Sequence, residues 1–111
     1  MIDRRVMMRN AFRKSFGGEP DVWVRAPGRV DLMGSHTDYN LGYVLTMSID
    51  RDAWIAARRR ENRIVAVRSL NLDTGATFDL DAIEHCAEAP WIDYVAGVAT
   101  VLQSAGYDLG G

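Results

Sequence analysis

An α+β fold is what this 111-residue sequence predicts, and three observations predict it. Two segments, one near each end, space their apolar residues at three and four, the period of a helix. Between them lie runs with the two-residue alternation and β-branched content of strands. Glycine and proline pairs punctuate the boundaries. Apolar residues make up 48% and charged residues 25%, ordinary values for a folded chain. The length suits one domain with a modest core.

Residues 4–17 place Val6, Met7, Ala11, Phe12 and Phe16 on one helical face. "FGGEPD" ends that helix, with Gly17 and Gly18 available for a left-handed cap and Pro20 blocking continuation. "VWVRA" (22–26) predicts a short strand closed by the turn pair Pro27-Gly28. From 42 to 60, Tyr43, Leu45, Met47 and Ile49 alternate with Val44, Thr46 and Ser48, and Trp54 and Ile55 extend the run into one or two strands. Asp50 and Asp52 flank Arg51 and suggest a strand boundary or local ion pairs. Arg58, Arg59 and Arg60, followed by Glu61 and Asn62, predict the solvated edge of a hairpin connection. Residues 63–69 are then expected as the partner strand, with a further strand at 76–81 after the turn around Asn71–Gly75. Pro90 opens a second helix over 91–106, whose apolar face is expected to comprise Trp91, Tyr94, Val95, Val98, Val101, Leu102 and Ala105. Gly106 ends it. The tally is a mixed sheet with packed helices.

Composition also excludes. A formal net charge of −2 gives no basis for a nucleic-acid or membrane-surface partner. The single cysteine, Cys86, cannot close an internal disulfide, so the expected location is a reducing cytoplasm. No signal-peptide pattern and no apolar run of bilayer length is present.

The chemistry concentrates in "APGRVDLMGSHTDYNLG", residues 26–42. Gly28, Gly34 and Gly42 release the backbone for turns and close approach of a ligand. Arg29 offers a planar fork of donors suited to phosphate or to charge developing on oxygen. Asp38 accepts, His36 does either, and Tyr39 and Asn40 add polar contacts. Such a cluster suits sugar hydroxyls, and it equally describes a polar surface turn beside a solvated arginine. The segment matches no phosphate-loop, dinucleotide or nucleophile-elbow pattern. With one cysteine and two histidines in the chain, His36 and Asp38 do not make a closed zinc site, and no protein metal site is expected. A magnesium ion held mainly by nucleotide phosphates needs few protein ligands.

The run "APGRVDLMGSHTDYNLGYVLTMSID" (26–50) closely resembles the N-terminal signature of the galactokinases. These belong to a superfamily of sugar and small-metabolite kinases that includes homoserine, mevalonate and phosphomevalonate kinases. "AFRKSFGGEPD" looks like the segment preceding that signature, and "WIDYVAGVATVLQSAG" like the helix preceding the family's phosphate loop. The resemblance implies that residues 1–111 form the truncated N-terminal part of a ribosomal-protein-S5-like kinase domain, ending before the phosphate loop and without the C-terminal domain.

The activity implied is transfer of the γ-phosphoryl group of ATP, with Mg2+, to the C1 hydroxyl of galactose or a related sugar. Sugar and ATP would be the small-molecule partners. By the same resemblance Arg29 lies beside the anomeric hydroxyl and the transferring phosphoryl group, and Ser35, His36 and Asp38 match sugar-binding positions. Trp91, near the start of the helix before the phosphate loop, is a candidate adenine contact, although its shared face with Tyr94, Val95 and Val98 suits a core residue better. Two positions depart from the family pattern: Asp31 stands where asparagine is usual, and Ser35 where glutamate is usual. That glutamate normally contacts the C6 hydroxyl, so the departure leaves galactose, L-arabinose and a uronic acid open as substrates. The isolated chain is expected to be inactive and prone to self-association. The alternative is a catalytically silent sugar-binding or regulatory module, or an inactive fragment.

Overall fold

The computed structural model describes residues 3–33 and 41–111. The element order is α1 (Arg4–Phe16), β1 (Val22–Met33), β2 (Leu45–Ala57), β3 (Ile64–Ser69), β4 (Thr74–Asp79) and α2 (Ile92–Ser104). The α+β class is as expected, and the strands form two separate antiparallel pairs, β1 with β2 and β3 with β4. The chain divides into two compact units, Pro20–Ala57 and the remainder.

In the larger unit, Asp3 caps α1 by accepting from the Arg5 amide at 2.9 Å. Gly17 and Gly18, at φ 70° and 68°, turn the chain away from the helix; Gly17, the cap, has ψ 154°, a glycine conformation outside the left-handed helical region that was expected. Only Phe12 of the expected apolar face is buried, while Val6 and Met7 stay exposed. Arg58 accounts for much of the covering. Its guanidinium lies 5.3 Å from the centroid of the Phe12 ring and donates to the carbonyls of Gly17 (2.6 Å) and Phe16 (3.3 Å). It therefore bonds two carbonyls at the end of α1 while remaining exposed, and the connection it sits in is no hairpin, since β2 and β3 do not pair.

β3 and β4 pair in unbroken register from Ile64↔Asp79 to Ser69↔Thr74. The partner of the 63–69 run is thus the next strand along, not the 42–60 run, because a four-residue turn closes the pair locally. Asp73 takes φ 50° in that turn, an angle aspartate tolerates, and Arg68 pairs with its carboxylate at 2.6 Å. The core gathers Phe78 and Leu80 with Ile92, Ala96 and Ala99 of α2, edged by Val65, Val67, Ala76, Ile83, Cys86 and Trp91.

The buried face of α2 is consequently not the expected one. Ile92, Ala96 and Ala99, spaced at four and three, turn inward, with Ile92 only 1% exposed. Tyr94, Val98 and Val101 point outward at 85%, 60% and 68% exposure. Both faces of this helix are apolar, so periodicity alone did not fix which would pack. Alanines let the helix approach β4 closely, and the larger residues are left outside. Asp93, in the first turn, holds the preceding segment by accepting from the Cys86 amide at 3.1 Å and pairing with His85. Gly106, at φ 96°, ends the helix. Beyond it, the Arg63 guanidinium bonds Asp81 (2.9 Å) and the Leu109 carbonyl and lies 3.8 Å from Asp108. The hydrogen bond to Asp81 above all raises the Arg63 pKa further, so it stays charged at every accessible pH.

Two outcomes follow for stability. Ile92→Ala should destabilise the larger unit by about 2–5 kcal/mol, read as a lower urea midpoint. The outer face of α2 should make the 111-residue chain self-associate, with sedimentation showing species above 12.4 kDa. Val98→Glu with Val101→Lys should restore a monomer; a monomer without those changes would refute the assignment.

Candidate functional site

The smaller unit is the antiparallel pair β1–β2, which carries the chemistry-bearing segment. Pro27-Gly28 does not end β1, which runs on to Met33. Two irregularities in register make this possible. Val22 to Pro27 pair with Ala57 to Asp52; pairing then resumes at Arg29↔Ser48, so Gly28 stands opposite Ile49–Arg51. A second shift, between Asp31 and Met33, leaves Leu32 as an extra residue. Pro27 lacks an amide hydrogen and fits a strand only beside such a break. Gly28 fits because a Cβ there would meet the Arg51 carbonyl oxygen at 3.1 Å and the Ile49 side chain at 3.2 Å. Glycine is needed for close strand approach, not for a tight turn.

Beyond the break, register decides which side chains share a face. Residues directly opposite in an antiparallel pair point the same way, as do residues two apart on one strand. Arg29 and Asp31 therefore share a face with Ser48 and Thr46, while Val30 and Met47 occupy the other. Arg29 Nε lies 3.5 Å from Asp31 Oδ1, with side-chain exposures of 64% and 22%. A second carboxylate in this unit, Asp52, is only 13% exposed and receives Arg25 Nε at 2.5 Å. The local ion pair expected of Asp52 thus forms across the strands, with Arg25. Such a polar face can bind hydroxyls and place a guanidinium against an anionic oxygen.

Ser35, His36 and Asp38 lie outside the described residues. Leu41, at the exit of that segment, takes φ 62°, a strained angle for leucine and one that functional loops often hold. Trp91 belongs to the other unit, where it is half-buried against the core, its Nε1 enclosed without a hydrogen-bond partner among the described residues. The placement of Thr46, Ser48 and Asp31 on the face of Arg29 was not read from the sequence. Alternation along 29–31 would have paired Arg29 with Asp31, had β1 not been expected to stop at Ala26.

A galactokinase galactose-binding signature matches residues 10–59. Over 94% of its length the chain is 45% identical to a galactokinase of Roseiflexus sp., and over 80% it is 47% identical to that of Chloroflexus aggregans. Over most of its length the chain is similar to members of the galactokinase family. A crystal structure of Lactococcus lactis galactokinase complexed with galactose superposes on 97% of the chain, with a TM-score of 0.78 at 34% identity. The chain spans about a quarter of the length of these relatives: 26% and 23% of the two galactokinases and 29% of the crystallised chain. Among the described residues no group of three histidine, cysteine or acidic side chains could hold a metal ion, and no helix is long and apolar enough to cross a membrane.

Gly28→Ala tests the geometry. The added methyl should force the register break open, lowering stability by about 1–3 kcal/mol and broadening the amide signals of Arg29 and Ser48 in NMR spectra. Gly97→Ala, inside α2 where a Cβ meets nothing within 4 Å, is the control: it should raise stability by up to about 1 kcal/mol and leave the Arg29 and Ser48 signals unchanged.

Proposed function

We propose that this chain supplies the sugar side of a galactokinase-like active site, binding galactose or a related sugar through the face that carries Arg29 and the segment 34–40. The observation that carries this is the placement of Arg29 on a polar strand face that leads directly into the segment bearing Ser35, His36 and Asp38. The galactose-binding signature and the galactose complex of a relative support it. In the full-length protein the reaction is phosphorylation of the sugar C1 hydroxyl. Bound ATP, with Mg2+, supplies the phosphoryl group there. The described residues form no metal cage and no Gly/Ser-rich phosphate cradle, so no step is assigned to them through the ion.

What the chain's own residues do is positioning and electrostatics, which dominate phosphoryl transfer. The Arg29 guanidinium donates toward the oxygens on which charge develops. His36 and Asp38 orient the sugar by hydrogen bonds, and analogues lacking those hydroxyls leave the site's polar groups unpaired. Packing of Trp91 against the core supports a structural role in preference to an adenine contact. On its own the chain acts as a catalytically silent sugar-binding module, a reading supported by a match to the sugar-binding signature specifically.

Two measurements test this. The 111-residue chain, incubated with ATP, Mg2+ and aldoses, should yield no sugar 1-phosphate, while saturation-transfer NMR should detect sugar contact that Arg29→Ala or His36→Ala weakens. Turnover abolished by Arg29→Ala would overturn the silent reading. In a full-length protein carrying this sequence, Ser35 leaves the C6 side of the sugar without a carboxylate, which favours L-arabinose and galacturonate relative to galactose. Ser35→Glu should shift kcat/KM toward galactose by about tenfold, for one gained hydrogen bond to a charged group of about 1.5 kcal/mol. It should penalise galacturonate most, through like-charge repulsion. Unchanged ratios among the three sugars would show that Ser35 does not face C6.

A further inference from the structure

We infer that Asp31 is the positioning residue for Arg29: its carboxylate holds the inner edge of the guanidinium and so sets the direction in which the outer edge faces substrate. The inference rests on the reading of Arg29 given above. Both residues sit inside β1, two apart and on one face, each fixed by its own cross-strand partner, Ser48 for Arg29 and Thr46 for Asp31. Their order along the face is set by exposure. Asp31 is the inner group and Arg29 the outer.

Asp31 Oδ1 is enclosed and accepts no hydrogen bond among the described residues. An enclosed carboxylate oxygen without a donor is unfavourable, and the Arg29 Nε lies 3.5 Å away, an ion-pair distance slightly too long for a hydrogen bond. A small rotation of the arginine side chain closes that gap. Hydrogen bonds at active sites are often long without substrate and tighten once it is bound. Contact through Nε also differs in consequence from contact through the terminal nitrogens. The terminal Nη pair is the edge that recognises planar or tetrahedral oxyanions. The strand, through Asp31, then decides where that edge lies. An ion pair within the strand restricts the rotamers of a long, exposed arginine and lowers the entropic cost of fixing it on binding.

The test uses Asp31→Leu, which removes the acceptor at similar volume, and Asp31→Asn, which keeps an acceptor oxygen without the charge. In the 111-residue chain, NMR of the Arg29 Nε–H, assigned with Arg29→Lys, should show a proton protected from solvent exchange. Asp31→Leu should abolish the protection and Asp31→Asn should restore most of it. In a full-length protein carrying the sequence, Asp31→Leu should lower kcat by about 10–100-fold, the scale of a reacting group misplaced by about 1 Å. The KM for sugar should stay within about twofold, and Asp31→Asn should recover most of the lost kcat. A purely structural role would instead lower the melting temperature in step with activity and leave Arg29 exchange unmoved. Unchanged Arg29 Nε–H exchange in Asp31→Leu overturns the inference. A full-length protein that phosphorylates no sugar overturns the proposed reaction instead, while the exchange measurement still decides whether Asp31 holds Arg29.

Discussion

The close approach of two strands at Gly28 is the constraint on which the β1–β2 unit depends. A sheet ladder tolerates proline poorly, and Pro27 would ordinarily end a strand. Here the missing side chain of the next residue lets the chain pass the Arg51 carbonyl, and pairing resumes with three residues of β2 set against one of β1. The break shifts the register by two residues. Because strand side chains alternate, an even shift restores the same sense of facing, whereas an odd one would turn every later side chain over. Arg29 and Asp31 consequently keep the company of Ser48 and Thr46. The glycine that looks like a turn-former is a device for continuing a strand.

That mechanism explains how much of this unit was legible. Strand character over 22–26 and within 42–60 follows from Val22, Val24, Leu45, Met47 and Ile55, and the antiparallel pair bears it out for Leu45–Ala57. The continuation through Pro27-Gly28 was not legible, since the same dipeptide marks turns far more often than bulges. Only knowledge of what stands opposite Gly28 separates the two cases, and that is a long-range fact. The resemblance located Arg29 and the segment after it, yet the partnership of Arg29 with Asp31 depends on alternation within a strand whose extent was underestimated.

In the larger unit the same limit takes a different form. Helix α2 was legible as a helix because its apolar spacing is strong, but the packed face was not, because residues on both sides are apolar. Volume decided the matter: Ala96 and Ala99 permit the approach that buries Ile92 against Phe78 and Leu80. Arg58 shows the converse. A run of three arginines suggests solvated charge, whereas a guanidinium has both a flat face and several donors. Arg58 uses the face on Phe12 and the donors on the last carbonyls of α1. Charge runs therefore need to be resolved residue by residue, by what each can reach.

Two arginines in this chain illustrate opposite uses of one side chain. Arg63 is enclosed by acceptors, with Asp81, Asp108 and the Leu109 carbonyl around it, so its orientation is over-determined and its charge is offset where it stands. Nothing remains in that arrangement to favour an anion from outside. Arg29 has the Asp31 carboxylate set beneath it and a side chain 64% exposed. An inner acceptor on the strand restricts the rotamers of a side chain that is otherwise mostly exposed. A reaction in which charge moves onto peripheral oxygens draws on both properties at once: direction, because hydrogen bonds to those oxygens are angle-dependent, and unspent field, because the anion supplies the balancing charge. The pairing of Arg29 with Asp31 supplies direction to a guanidinium that stays 64% exposed, whereas Arg63, at 39%, is drawn among acceptors of its own unit.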